Sequence, residues 1–261
     1  MSISTIPVFY FIDPVTSDNQ LLNFVEPNIS GDELLATVAI GARSMTNLMT
    51  AVEAGLNDAG ANTYSVTFDR DTRIVTISGD DDFNLLVSSG SNVGLGVFSL
   101  LGFTGADRTG TDTYDGDTAI GTEYIPQTLP QGFKSFDNNK EGILASVNEA
   151  ADGTLEVVTF GNRSFMEFNL EWITDLSRSR GNFIENNQSA LDQVNEFLTF
   201  AIRKIDMEFM EDRDTRGTFD TVLLESTPIS RQGTGYELKE FFNRKIQNYF
   251  ETGILKFRKV E

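Results

Sequence analysis

Three groups of carboxylates set the terms for any chemistry this chain could do. The segment Asp107-Arg108-Thr109-Gly110-Thr111-Asp112-Thr113-Tyr114-Asp115-Gly116-Asp117 gathers acidic and hydroxyl oxygens in a glycine-punctuated stretch, the oxygen-rich setting that Ca²⁺ prefers. It departs from the EF-hand pattern, with Tyr114 third from Asp112 and no Glu at the twelfth position, so a solvated loop is the plainer expectation. Asp80-Asp81-Asp82 follows Gly79 where a strand is expected to end, and a charge run there reads as a solvated turn in preference to a metal site. Glu167 with Glu171, and Asp206 with Glu208, are the pairs that could support carboxylate catalysis such as glycoside hydrolysis. Acids that alternate along a half-buried strand fall on its solvent face by default, and these pairs are expected there. Gly94-Leu95-Gly96 and Gly233-Thr234-Gly235 lack the Lys-Ser/Thr of a P-loop and the third glycine of a dinucleotide fingerprint, so both read as turns. No catalytic, cofactor-binding or metal-ligating residue is assigned, and no cofactor is expected.

Composition narrows the chemistry further. The chain has no Cys and no His, which excludes a Ser-His-Asp triad, a Cys-His dyad, an ordinary zinc site and disulfides. Carboxylates, Lys and Tyr stay open as catalysts. Its formal charge of −19 disfavours stable binding to nucleic acid or to anionic membrane. The richest basic stretch, Lys239, Arg244, Lys245, Lys256, Arg258 and Lys259, is expected to be a solvated face paired with Glu237, Glu240 and Glu251. No apolar run reaches the roughly 20 residues a membrane span needs. The N-terminus lacks the positive n-region of a secretory signal, so a cytoplasmic site of synthesis and assembly is expected.

The elements that must position these groups follow from periodicity. With 261 residues, 39% of them hydrophobic, the chain can form one large domain or two ordinary ones. Its aromatics are dominated by 21 Phe against one Trp and six Tyr, which suits core and interface filling without polar groups to satisfy. Val8 to Ile12, a turn from Asp13 to Asn19, and Leu21 to Val25 predict a hairpin, and Leu34 to Ile40 a further strand. Ser44 caps a helix whose stripe is Met45, Leu48, Met49, Val52 and Leu56, closed by Gly60. Tyr64 to Phe68 and Ile74 to Ile77 form a hairpin around Asp69 to Arg73. Phe83 to Val87 is another strand, Gly94 to Phe103 a turn that lays Phe98, Leu101 and Phe103 on the sheet, and Thr104 to Gly121 a loop.

An α+β chain in two domains results: an N-terminal module of β-hairpins with one helix over 1–122, an extended connector over 123–153, and a C-terminal domain over 154–261. In the latter, Leu155 to Phe160 and Phe165 to Ile173 bracket a turn at Gly161-Asn162-Arg163. Met166, Phe168, Leu170 and Trp172 face inward there, and Glu167, Asn169 and Glu171 outward. A helix opens at Ser189, with Val194, Phe197, Leu198 and Ala201 among its apolar face. Strands at Ile205 to Met210 and Phe219 to Ser226, a last helix over 236–250, and a closing strand from Ile254 to Val260 complete the order.

The helix from Ser44, the Tyr64-Ser65-Val66-Thr67-Phe68-Asp69 and Ile74-Val75-Thr76-Ile77-Ser78 hairpin, Phe83-Asn84-Leu85-Leu86, and Leu100-Leu101-Gly102-Phe103-Thr104 together resemble a module recurrent in tailed-bacteriophage virion proteins. Leu-Gly-Phe is the most specific piece. The second half is similar to phage tail proteins of the tail-tube and distal-tail kind, in which a β-sandwich or split barrel flanked by helices assembles into rings; the 236–250 helix is an addition to that core. The resemblance implies a non-enzymatic virion subunit that self-associates in a ring, expected to be hexameric, and contacts other tail or baseplate proteins. It implies assembly in the host cytoplasm, no membrane insertion, and an acidic lumen surface to which passing DNA does not adhere. The alternative is a receptor- or carbohydrate-binding module of a tail tip or fibre, with the first domain's loops as its site.

Overall fold

The computed structural model describes residues 7–126, 132–149, 155–171, 173–174, 190–212, 219–226, 239–240 and 249–260. Strands β1 (Val8–Phe11), β2 (Leu21–Val25) and β3 (Glu33–Thr37) precede helix α1 (Met45–Ala59). Strands β4 (Tyr64–Asp69), β5 (Ile74–Leu85), β6 (Arg108–Asp115), β7 (Thr122–Tyr124), β8 (Gly132–Glu149), β9 (Leu155–Glu171) and β10 (Ile173–Thr174) follow. After helix α2 (Ala190–Ala201) come β11 (Met207–Met210), β12 (Asp220–Ser226), β13 (Lys239–Glu240), β14 (Tyr249–Glu251) and β15 (Gly253–Val260). The described elements are thus α+β, mostly antiparallel sheet with two helices. The chain divides into two compact units: Tyr10–Glu123 with Asp206–Glu208, here the helix-hairpin unit, and Met1–Phe9, Tyr124–Ile205 and Phe209–Glu261, here the ribbon unit.

In the helix-hairpin unit the sheet runs β3-β2-β5-β4, with β6 added to β5. Helix α1 begins where Ser44 Oγ accepts from Asn47 N at 3.3 Å, satisfying one of the amides a helix N-terminus leaves without partners. Its stripe Met45, Leu48, Met49, Val52 and Leu56 is buried as the spacing predicts. A Cβ added at Gly55 would stand 2.9 Å from the Thr37 carbonyl oxygen, so this glycine allows the helix to approach β3 closely. The β4–β5 hairpin pairs Tyr64 with Gly79 through Asp69 with Ile74, also as predicted. Edge-on aromatic pairs link Phe24, Tyr64, Phe83 and Tyr114, with centroids 5.0 to 5.6 Å apart, and form the centre of this core.

Three expectations change here. Strands β1 and β2 are not a hairpin, because β1 lies between β7 and β11 in a different sheet. All four β1 residues are buried, and a continuous apolar run suits an interior strand covered on both faces better than a one-sided hairpin arm. Asp80-Asp81-Asp82 does not end a strand. It is a bulge within β5, across which the pairing to β6 jumps from Ser78 with Thr113 to Phe83 with Thr111; a bulge accommodates solvated extra residues while the strand continues. Residues 104–121, expected to be a loop, contain β6, an edge strand whose Thr residues favour extended backbone and whose Tyr114 is its apolar anchor.

A seven-stranded sheet has the order β7-β1-β11-β12-β15-β9-β8, and a three-stranded sheet has the order β10-β14-β13. The connector expected over 123–153 contains β8, an 18-residue strand paired with β9 from Gly132 with Glu171 to Glu149 with Leu155. No turn interrupts β9: Gly161, Asn162 and Arg163 pair with Leu144, Ile143 and Gly142. A glycine-asparagine step turns a chain only when no partner strand holds it extended, and β8 holds it. The last predicted helix is not found at its described ends, since Lys239 and Glu240 pair with Glu251 and Phe250 in antiparallel strands; residues 241–248 lie outside the described residues. Closing strand β15 is central, between β12 and β9. The core collects Phe9, Phe168, Phe197, Phe209 and Phe257, with Phe9 5.0 to 5.7 Å from each of the other four rings. Helix α2 buries Val194, Phe197, Leu198 and Ala201, while Ser189 lies outside the described residues.

Candidate functional site

The strongest concentration of buried charge in the helix-hairpin unit is at Glu208, whose side chain is fully buried. Its Oε1 accepts from Thr46 N and Thr46 Oγ1, both at 2.6 Å. Its Oε2 accepts from Arg70 Nε at 3.1 Å and Nη2 at 2.7 Å, and Arg70 Nη2 also reaches Thr46 Oγ1 at 3.0 Å. Thr46 lies in the first turn of α1, so one carboxylate satisfies a helix-start amide, complements the helix dipole and pairs with a guanidinium. The solvent-facing position expected for Glu208 is therefore overturned. All four β11 residues are buried, so alternation had no solvent face on which to act. Asp206 is half-buried, Glu167 is half-buried, and the side chain of Glu171 lies outside the described residues.

A second buried carboxylate, Glu26, carries no sequence signal beyond standing between the end of β2 and Pro27. It is 1% exposed. Oε1 accepts from Ala61 N, Asn62 N and Tyr64 Oη, each at 2.9 Å, and Oε2 from Ala61 N at 3.0 Å. Its main-chain oxygen accepts from the amides of Ile29, Ser30 and Gly31. Glu26 thus ties β2 to the bend after α1. Burial first, and then hydrogen bonding to the Glu26 carboxylate and its charge, push the Tyr64 phenol far above its ordinary value.

The acidic segment is divided among separate partners. Asp107 accepts from Ser88 N at 2.7 Å, Ser88 Oγ at 3.0 Å, Ser89 N at 3.1 Å, and Ser89 Oγ. Desolvation pushes its carboxyl up, but these serine bonds together outweigh it and hold the group below its usual range. Asp117 accepts from Thr104 N at 2.7 Å and pairs with Arg108; the Thr104 amide chiefly, with Arg108 assisting against some desolvation, lowers it. Asp115 takes the Thr76 hydroxyl at 2.6 Å. In the bulge, Asp80 accepts from Thr63 N at 2.8 Å and Asp81 from Asn28 Nδ2 at 2.9 Å. Among the described residues no three acidic side chains converge on one point as a cation would require. These acids cap loops and turns.

The remaining candidates fall as follows. Gly94 lies within a 3₁₀ turn at Val93–Leu95 and Gly96 caps its end, while Gly233 and Gly235 lie outside the described residues. Lys256 stands 3.8 Å from the Phe165 ring centroid and 3.6 Å from Glu225, and Lys259 lies 2.8 Å from Asp220. Their partners are acids of β12 instead of the helix acids expected, because β12 is the strand paired with β15. Side chains of Lys239, Arg244 and Lys245 lie outside the described residues. Asn169, expected outward, is buried at a position of β9 that pairs with Ser135 of β8 and Ile254 of β15. No protein-family model matches the chain, and no curated protein matches it.

Proposed function

We propose that the chain is a structural subunit of a tailed-phage virion, a tail or baseplate ring component of the distal-tail kind that acts by self-association and by contacts with neighbouring virion proteins. The observation that carries this reading is that the segments of the resemblance in the first half of the chain come together in one unit. The α1 stripe, the β4–β5 hairpin and the Leu101-Gly102-Phe103 turn share the helix-hairpin unit, with Leu101 and Phe103 buried. Gly102, at φ +79, has no room for a side chain against the Thr118 carbonyl, which gives that motif a packing reason. The acids with the most chemical promise meanwhile act as internal ties. Two domains over 1–122 and 154–261, the second a β-sandwich or split barrel, are part of this proposal. Negative-stain imaging and mass photometry of the purified chain test it: closed rings are expected. A stable monomer at every concentration that never enters a particle would overturn it.

A further inference from the structure

Strands β9, β15 and β12 turn one face to the core and the other away from it. Met166, Phe168 and Leu170 of β9, Leu255 and Phe257 of β15, and Val222 and Leu224 of β12 are buried. Alternation along a strand therefore places Arg163, Phe165 and Glu167, Lys256 and Arg258, and Leu223 and Glu225 on the opposite face. Register and contacts gather these groups. Arg258 pairs with Phe165 on one side and Leu223 on the other, and Lys256 with Glu167. Lys256 also covers Phe165, 3.8 Å from its ring centroid, while Glu225 lies 3.6 Å from Lys256 and 3.7 Å from Arg163. The Arg163 and Lys256 side chains are 37% and 33% exposed, so a partner can reach them. Among the described side chains of this face three cations meet two acids, and Arg258 holds no hydrogen bond or ion pair among the described residues. In a chain of formal charge −19 a local surplus of cations is the exception.

The rest of the sequence holds the complement. Residues 10–123 contain seventeen Asp and Glu against four arginines and no Lys, while the remainder holds twenty-two acids against sixteen Lys and Arg. Each of the four arginines is engaged within the helix-hairpin unit: Arg43 on the Ala39 carbonyl, Arg70 on Glu208, Arg73 on the Gly121 carbonyl, and Arg108 on Asp117. Asp80-Asp81-Asp82, the one run of three acids in the chain, is exposed at all three positions. Asp80 accepts from Thr63 N and Asp81 from Asn28 Nδ2, whereas the Asp82 carboxylate has no hydrogen bond or ion pair among the described residues. Two helix-hairpin units repel one another, and so do two cationic faces; only the unlike pair attracts. We propose that the Arg163, Lys256 and Arg258 face docks the helix-hairpin unit of a second copy through its Asp80–Asp82 bulge, with Arg258 taking Asp82. Such a contact joins unlike surfaces, so it is heterologous and passes from copy to copy, closing a ring where the rotation permits. It rests on the ring reading and adds to it a surface and a chemistry.

The test is a charge swap in the full-length chain, read by mass photometry and sedimentation over a concentration series. Arg258→Glu and Asp82→Arg, each made alone, should raise the concentration needed for assembly at least about tenfold, because each sets like charges face to face. Arg258→Gln removes the charge without reversing it and should give a smaller loss. Arg258→Glu with Asp82→Arg in one chain reverses the pair and should restore most of the assembly. Asp58→Arg, the same change of charge at another exposed acid of the unit, should not weaken it. Salt near 1 M, where the screening length falls to about 3 Å, should weaken assembly of the unaltered chain. Urea midpoints equal to that of the unaltered chain establish that each variant is folded. Either single variant assembling at the original concentration overturns the proposal, as does a folded double variant no better than the singles. Closed rings formed equally by every variant would refute this surface and leave the ring reading standing. Pairs or open chains that obey the swap without closing would support this surface and refute the ring, and a chain that stays monomeric throughout would refute both.

Discussion

Replacing Glu26 tests whether one buried carboxylate holds the bend after α1 to β2. In Glu26→Ala three donors, Ala61 N, Asn62 N and Tyr64 Oη, lose their acceptor at a position 1% exposed. A hydrogen bond to a charged group contributes about 1.5–3 kcal/mol, and an orphaned buried donor costs about 1–3 kcal/mol. The three share one oxygen and are not additive, and a water entering the vacated space would recover part of the loss. The expected destabilisation is therefore about 3–5 kcal/mol. Glu26→Gln keeps Oε1, on which all three donors converge, and forfeits the charge, so about 1–2 kcal/mol is expected. Tyr64→Phe removes one donor, and in a double-mutant cycle it should couple to Glu26→Ala by about 1–2 kcal/mol. Urea unfolding followed by near-ultraviolet circular dichroism reads the total, and exchange at Ala61 and Asn62 reads the local effect. A loss below about 1 kcal/mol for Glu26→Ala, or equal losses for Ala and Gln, would refute the assignment of Glu26 as the tie.

Other consequences follow from the same geometry. Glu208→Gln leaves Arg70 facing a neutral amide in a buried position and should cost about 2–4 kcal/mol in urea unfolding; pairing it with Arg70→Met should recover part of that loss. Gly102→Ala places a methyl against the Thr118 carbonyl at φ +79 and should cost at least about 2 kcal/mol, seen by calorimetry as a fall of several degrees in Tm. Because Asp107 and Asp117 are held below their usual range, their contribution is present above the unfolded carboxylate value of about 4. It is lost as pH falls through the lower folded values, so exchange at Ser88 and Thr104 should accelerate in acid, and Asp107→Asn should flatten the Ser88 response. Tyr64 and Tyr114 are raised, by burial first; the stability they carry is complete below about pH 10 and declines as pH rises beyond it. Tyr64→Phe should remove part of that alkaline decline in a pH series of urea midpoints.

Local rules were legible where one element satisfied itself. The α1 stripe with its Ser44 cap, the β4–β5 hairpin with its polar turn, and the α2 face could each be read from spacing because their hydrogen bonds close within a few residues of chain. The absence of Cys and His was equally decisive, since no fold can supply a missing side chain. Pairing partners distant in sequence were beyond that reach. Nothing in Gly161-Asn162-Arg163 announces that β8 will hold it extended, and the Phe and Ile spacing of 236–250 fits a helix as well as a strand until β10 and β13 are present to pair with Tyr249–Glu251. Glu208 and Glu26 show the same limit at the level of single groups. An acid in an alternating strand is solvent-facing by default, and only the closure of the fold around it, with Arg70 and Thr46 in one case and a bend of main-chain amides in the other, supplies the compensation that makes burial of its charge tolerable. Residue types alone thus determined which chemistries were possible and where α1 and α2 form. Which strands adjoin, and which carboxylates leave water, was decided by the tertiary structure, because sheet hydrogen bonds and charge compensation are both contributed by residues far apart along the chain.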